Sequence, residues 1–158
     1  MTAARKQLKT ALEAHLLPIF TRAGFSGPSS LNGHGLCYHF RRNRGGIYEF
    51  LSVQFEKNGG PKFRVNFSEA TRVHLEERFR VAEAHLGRPA AMEDVLSEPW
   101  GVLRGHLHPS RLPYFKLFTW FTARADTGME IARRSAALYP EIENWWRERK
   151  IGPHLWIP

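Results

Sequence analysis

The chain has 158 residues and a single cysteine, Cys37, so one domain with its own hydrophobic core is expected and an internal disulfide or cysteine-built metal cluster is excluded. The net charge of +8 is uneven: residues 1–68 carry ten basic and three acidic side chains, residues 69–98 four and seven, residues 99–158 nine and five. That surplus favours polyanions or acidic protein surfaces as encounter partners. No apolar run approaches the ~20 residues of a membrane helix and no apolar leader opens the chain, so the expectation is a cytoplasmic protein without membrane association.

Leu8, Leu12, His15, Leu16, Ile19 and Ala23 recur at three- and four-residue spacing, which predicts a helix over residues 3–22. Thr2 is its candidate N-cap. Gly24 is its candidate C′ residue, with Phe25 folding back onto the last turn. Pro18 lacks an amide hydrogen and crowds the turn before it, so a break near Leu17 is expected. Residues 26–35 hold Gly27, Pro28, Ser29, Ser30, Asn32 and Gly33 and read as a loop.

Residues 36–67 then alternate with a period of two. Leu36, Tyr38 and Phe40 oppose Cys37, His39 and Arg41; Leu51, Val53 and Phe55 oppose Ser52, Gln54 and Glu56; Phe63, Val65 and Phe67 oppose Lys62, Arg64 and Asn66. Successive side chains of a strand point to opposite faces, so these runs predict three antiparallel strands with one apolar and one polar face. The glycines of Asn43-Arg44-Gly45-Gly46 and Asn58-Gly59-Gly60-Pro61 suit the turns between them. Glu56 would then stand across from Lys62 or Arg64.

Leu75, Phe79, Ala82 and Leu86 predict a helix over residues 75–86, ended by Gly87-Arg88-Pro89. Residues 90–99 read ambiguously. Residues 100–108 read as a fourth strand and residues 114–125, apolar on both sides, as a fifth, with a helix the alternative that periodicity leaves open. Thr127 and Glu130 fit a capping box, followed by a stripe of Ile131, Ser135, Leu138, Ile142, Trp145 and Arg149. Pro140 interrupts it and predicts two helices meeting near Tyr139. Trp145 is expected to anchor this region to the sheet with Trp146 at the margin, and residues 151–158 to pack as an extended arm.

The order of features resembles a known family. A helix ending in Leu17-Pro18-Ile19-Phe20 and Ala23-Gly24-Phe25 is followed by Tyr38-His39-Phe40-Arg41-Arg42, by Val53-Gln54-Phe55, by residues 63–67, and late in the chain by an aromatic run around Trp120 and a helix. The pattern is similar to the bacterial domain of unknown function 4304, and the acidic stretch 69–98 departs from it. The resemblance implies a small α+β domain and transfers no catalytic residue.

Three constellations bear on function. Arg41, Arg42 and Arg44 flank the Gly45-Gly46 turn, where guanidinium groups beside turn amides suit a phosphate or carboxylate. Lys62 and Arg64 extend the basic surface, and Tyr48 offers a ring for stacking. The plainer alternative is a charged hairpin tip that keeps a sheet edge soluble. His39, His106 and His108 are the residues that would come into question for a metal, but no carboxylate or thiolate completes a set, so no metal and no cofactor are assigned. Cys37 lies two residues from His39 without any catalytic signature around it, as a packing thiol would.

The resulting expectation is an α+β fold in one domain, with a four- or five-stranded, mainly antiparallel sheet packed against the N-terminal and C-terminal helices. The leading function is a non-enzymatic binding module for a protein partner, in an accessory or immunity-like role. The alternative is nucleic-acid binding through the basic hairpin and polar sheet face, and a third class is an enzyme built around His39, His106 and His108. Nothing in the sequence fixes the oligomeric state.

Overall fold

The computed structural model describes residues 2–30, 37–55, 61–87, 101–103, 115–116 and 127–156. In chain order these form α1 (Ala3–His15), α2 (Leu17–Arg22), β1 (Ser26–Ser30), β2 (Cys37–Arg44), β3 (Ile47–Phe55), β4 (Lys62–Thr71), α3 (Arg72–Leu86), β5 (Gly101–Leu103), β6 (Phe115–Lys116), α4 (Thr127–Glu148) and β7 (Leu155–Trp156). The fold is α+β, and the sheet is antiparallel throughout. Its order is β1-β2-β3-β4-β5-β7, with β6 also on β4. Four strands are long; β5, β6 and β7 contribute two or three residues each.

The alternating runs are the centre of that sheet. Tyr38 pairs with Val53 and Val53 with Val65, so the apolar members of all three strands share one face. A two-residue turn sets the first register. Gly45 and Gly46 have φ of 60° and 87°, values a side chain rarely adopts. The Gly46 amide donates to Asn43 Oδ1 at 3.0 Å, and Arg44 pairs with Ile47.

α1, α2 and α4 cover the apolar face. Leu8, Leu12, Leu16 and Phe20 meet Phe40, Leu51, Val53, Phe55, Phe63, Val65 and Phe67, with Ala132, Tyr139, Ile142 and Trp146 entering from α4; all are buried. Burying each large side chain contributes about 1.5–3 kcal/mol. Rings meet edge-on, Phe20 on Phe40 and Trp145 on Phe67, each at 5.1 Å, geometry that adds specificity to burial. Thr2 caps α1 by accepting from the Arg5 amide at 3.3 Å. The expected break falls at Leu16, with Pro18 in the first turn of α2, where its missing donor is harmless. Gly24 has φ 88° and the Phe25 amide reaches back to the Phe20 carbonyl at 3.1 Å.

Four expectations need correction. Residues 26–30, read as loop, form edge strand β1 against β2; proline is tolerated on a sheet edge, so turn-like composition concealed the pairing. The last helix is one helix, not two. Pro140 lies inside α4 on its exposed side, where water can hydrate the carbonyl left unpaired while Tyr139 and Ile142 stay buried on the other side. Trp145, half-buried, does meet the sheet at Phe67 as expected, but Trp146, expected at the margin, is buried and reaches Phe67 as well. The third expected strand, β4, continues to Thr71, and α3 starts at Arg72 rather than Leu75.

β5 and β6 lie within the expected fourth and fifth strands. The rest of residues 100–108 and 114–125, the segment 90–99, Glu56 and the residues 58–60 of the second turn lie outside the described residues, as does the side chain of Thr127. Beyond α4 the chain returns as β7 on β5. Glu141 holds this arm, accepting the His154 amide at 2.9 Å and meeting His154 Nδ1 at 2.5 Å. A Cβ on Gly152 would overlap that carboxylate.

Candidate partner-binding face

Strand parity sorts the candidate residues onto two faces. Arg42 and Arg44 share parity with Tyr38 and Phe40 and point to the helical, inner face. Arg41, Lys62, Arg64 and Tyr48 point to the outer face. The six candidates therefore do not form one surface.

On the inner face Arg42 is 8 % exposed, and its whole donor fork is engaged. Nε donates to Glu49, its cross-strand neighbour; Nη1 donates to the Ala23 carbonyl at 2.7 Å and contacts Glu143 Oε1 at 2.7 Å; Nη2 donates to Glu143 Oε2 at 2.9 Å. The guanidinium carbon lies 4.3 Å from the centroid of Phe25 and 5.2 Å from that of Trp146. Arg44, more exposed, donates to Glu143 Oε2 at 2.9 Å and lies 3.7 Å from Glu49. Tyr139 donates to the other Glu143 oxygen. Two arginines thus face two glutamates, a balanced set that suits a site with little water. Burial works against ionisation of Glu143, yet the hydrogen bonds from Arg42, Tyr139 and Arg44 hold its pKa down at about 2. Burial, then the Glu143 hydrogen bond and charge, pushes the Tyr139 hydroxyl far above its ordinary value. Glu49 and Glu143 escaped the sequence reading. Their signal was parity for Glu49, which shares a face with Leu51 and Val53; for Glu143, one residue from Ile142 in a helix, there was none.

The outer face is different in kind. Two rows of side chains cross β2, β3 and β4: Cys37–Gln54–Arg64 and His39–Ser52–Asn66. Arg64 Nε donates to Gln54 Oε1 at 2.8 Å, and Asn66 Nδ2 donates to Ser52 Oγ at 3.1 Å and Gln54 Oε1 at 3.3 Å. These bonds hold long polar side chains in fixed positions. Beside them lies a recess of about 20 Å³ lined by His39, Phe50, Ser52, Asn66 and Ser68, enough for one water-sized group. Asn66 is buried, and its Oδ1 accepts no hydrogen bond. α3 covers the neighbouring end of this face through Leu75, packed with Phe50 and Ala70. Tyr48 belongs to that cluster, stacked on Phe50 at 6.5 Å and 17°, so much of its ring is committed to packing.

Arg41 is exposed; Lys62 and Arg64 are half-buried. The outer positions of β2, β3 and β4 that are described carry no carboxylate, whereas Glu49 and Glu69 point inward. Glu69 meets Arg149 there at 2.7 Å. Burial pushes the Cys37 thiol up to about 11, against the hydrogen bond from Ser52 and the charge of Arg64, which suits packing rather than nucleophilic attack. Among the described residues no three His, Cys, Asp or Glu side chains gather as a metal site; His106 and His108 lie outside them. No helix of the described residues is long and apolar enough to cross a membrane.

No family model matches this chain, and neither does a curated protein or a solved structure.

Proposed function

We propose that this protein is a cytoplasmic, non-enzymatic binding module that docks an acidic protein surface on the outer face of its sheet, in an accessory or immunity-like role. The likeness to the domain of unknown function 4304 is part of the same proposal. The observation that carries it is the sorting of charge across the sheet: the outer positions of β2–β4 hold Arg41, Lys62 and Arg64 and no carboxylate, while Glu49 and Glu69 face the helices. Gln54 and Arg64, held in place by the hydrogen bond between them, offer donors with little ordering left to do, which favours binding, and cationic surfaces steer acidic partners. Arg42 and Arg44 are engaged with Glu49 and Glu143, which takes two cations from a hairpin-tip nucleic-acid site and favours the protein partner.

The test compares the wild type with the double variant Arg41→Glu, Arg64→Glu in crosslinking capture from the native host. A protein captured by the wild type and lost with the variant supports the reading. Equal capture by both sinks it. Labelled single- and double-stranded oligonucleotides titrated at two salt concentrations test the rival: binding that falls steeply with salt and requires Arg41 and Arg64 would assign this face to nucleic acid instead.

A further inference from the structure

Arg5 is as buried as Arg42, 8 % exposed, but its surroundings are the reverse. Its guanidinium carbon lies 5.5 Å from the centroid of the Phe55 ring. Its Nε is buried without a hydrogen bond, and no carboxylate among the described residues pairs with it. It is the third residue of α1, whose first turn has no acidic side chain. Two local rules are broken at once. A cation in the first turn faces the positive end of the helix dipole, where aspartate and glutamate are favoured, and a guanidinium withdrawn from water ordinarily takes a carboxylate with it. The Phe55 face offsets part of that cost. Positions where a chain departs from its local rules are where functional or strained sites are expected.

We propose that Arg5 is the centre of an anion site that takes an oxyanion, carboxylate or phosphate, end-on at its two amino nitrogens. The amides of Ala3 and Ala4 have no acceptor within their own helix and add to the positive potential at this end of α1. Thr2 already satisfies the Arg5 amide, so the cap and the anion do not compete. The site lies on the helical side of the sheet and does not rest on the outer-face reading.

The experiment uses the full chain, with sodium phosphate and sodium acetate titrated against sodium chloride at matched ionic strength. It reads thermal unfolding and the Arg5 Nε–Hε resonance for the wild type, Arg5→Lys and Arg5→Gln. The expected result is a saturable shift of the wild-type resonance and a rise in Tm over chloride. In chloride, Arg5→Gln melts at or above the wild type, because an unpaired charge has been removed, and its anion-specific rise is lost; Arg5→Lys keeps part of that rise. A larger response to phosphate assigns a phosphate-bearing ligand, and an equal or larger response to acetate a carboxylate. The proposal is overturned if the wild-type resonance shows no saturable shift. It is equally overturned if Arg5→Gln melts below the wild type in all three anions, which would make Arg5 a packing residue over Phe55.

Discussion

Arg41 and Arg42 are consecutive in β2, and they enter opposite environments. Arg42 has exchanged water for Glu49, Glu143, a backbone carbonyl and two aromatic rings; Arg41 stands in solvent on the far side of the sheet. The inner face gathers carboxylates and neutralises them, and the outer face of β2–β4 keeps cations and amides. Composition cannot distinguish the two arginines, because a strand assigns each side chain by parity before its chemistry has any say. A basic run in a strand is therefore two half-runs, and only one of them is available to a partner.

The largest test of that contrast removes the inner glutamate. Glu143→Ala leaves Arg42 buried without its bidentate acceptor and should cost about 3–5 kcal/mol in urea unfolding, the range for breaking a buried pair. A loss near zero would mean that water reaches the inner cluster. The same group sharpens the comparison through pH. Its folded pKa, about 2, lies below its ordinary 4.5, so its contribution is complete above about pH 4.5 and is lost as the pH falls through about 2. Glu143→Gln should flatten the acid limb of the urea midpoint plotted against pH, whereas Arg41→Gln should leave that limb unchanged. On the outer face, Cys37 has its thiol at about 11 against an ordinary 9.0. Alkylation by iodoacetamide near neutral pH should thus run roughly a hundredfold slower than for an unshifted thiol, and rise to the ordinary rate in denaturant. The smallest effect is that of Arg41→Gln on stability. It should stay within about 0.5 kcal/mol, even though the proposed partner contact loses one of its three cations.

Much of this architecture was legible because alternation is a direct imprint of the pleat. Phe63, Val65 and Phe67 are all buried against the helices, as their spacing requires. The same alternation already placed Arg42 beside Tyr38 and Phe40, but grouping Arg41, Arg42 and Arg44 by charge overrode it. β1 was concealed because Gly27 and Pro28 are turn formers that an edge strand accepts. The tryptophan order failed on phase: a stripe through Leu138 and Trp145 differs by one residue from the buried line through Tyr139 and Trp146, and 3.6 residues per turn allows both over so few turns. Glu143 was invisible for a deeper reason. Its partners, Arg42 and Arg44, lie about a hundred residues away in the chain, and nothing local marks a glutamate for a distant arginine.

The Gly45-Gly46 turn carries a further consequence. With two residues between Arg44 and Ile47, β3 meets β2 in the register that brings Glu49 opposite Arg42. One residue more or fewer would act as an odd step in a two-state code, transposing one strand's greasy and wettable sides relative to the other. Arg42 would then stand opposite Tyr48 or Phe50 while Glu49 turned to the solvent side. The apolar residues decide which half of each strand becomes interior, and the length of this short loop is what lets the two strands obey that demand at the same time.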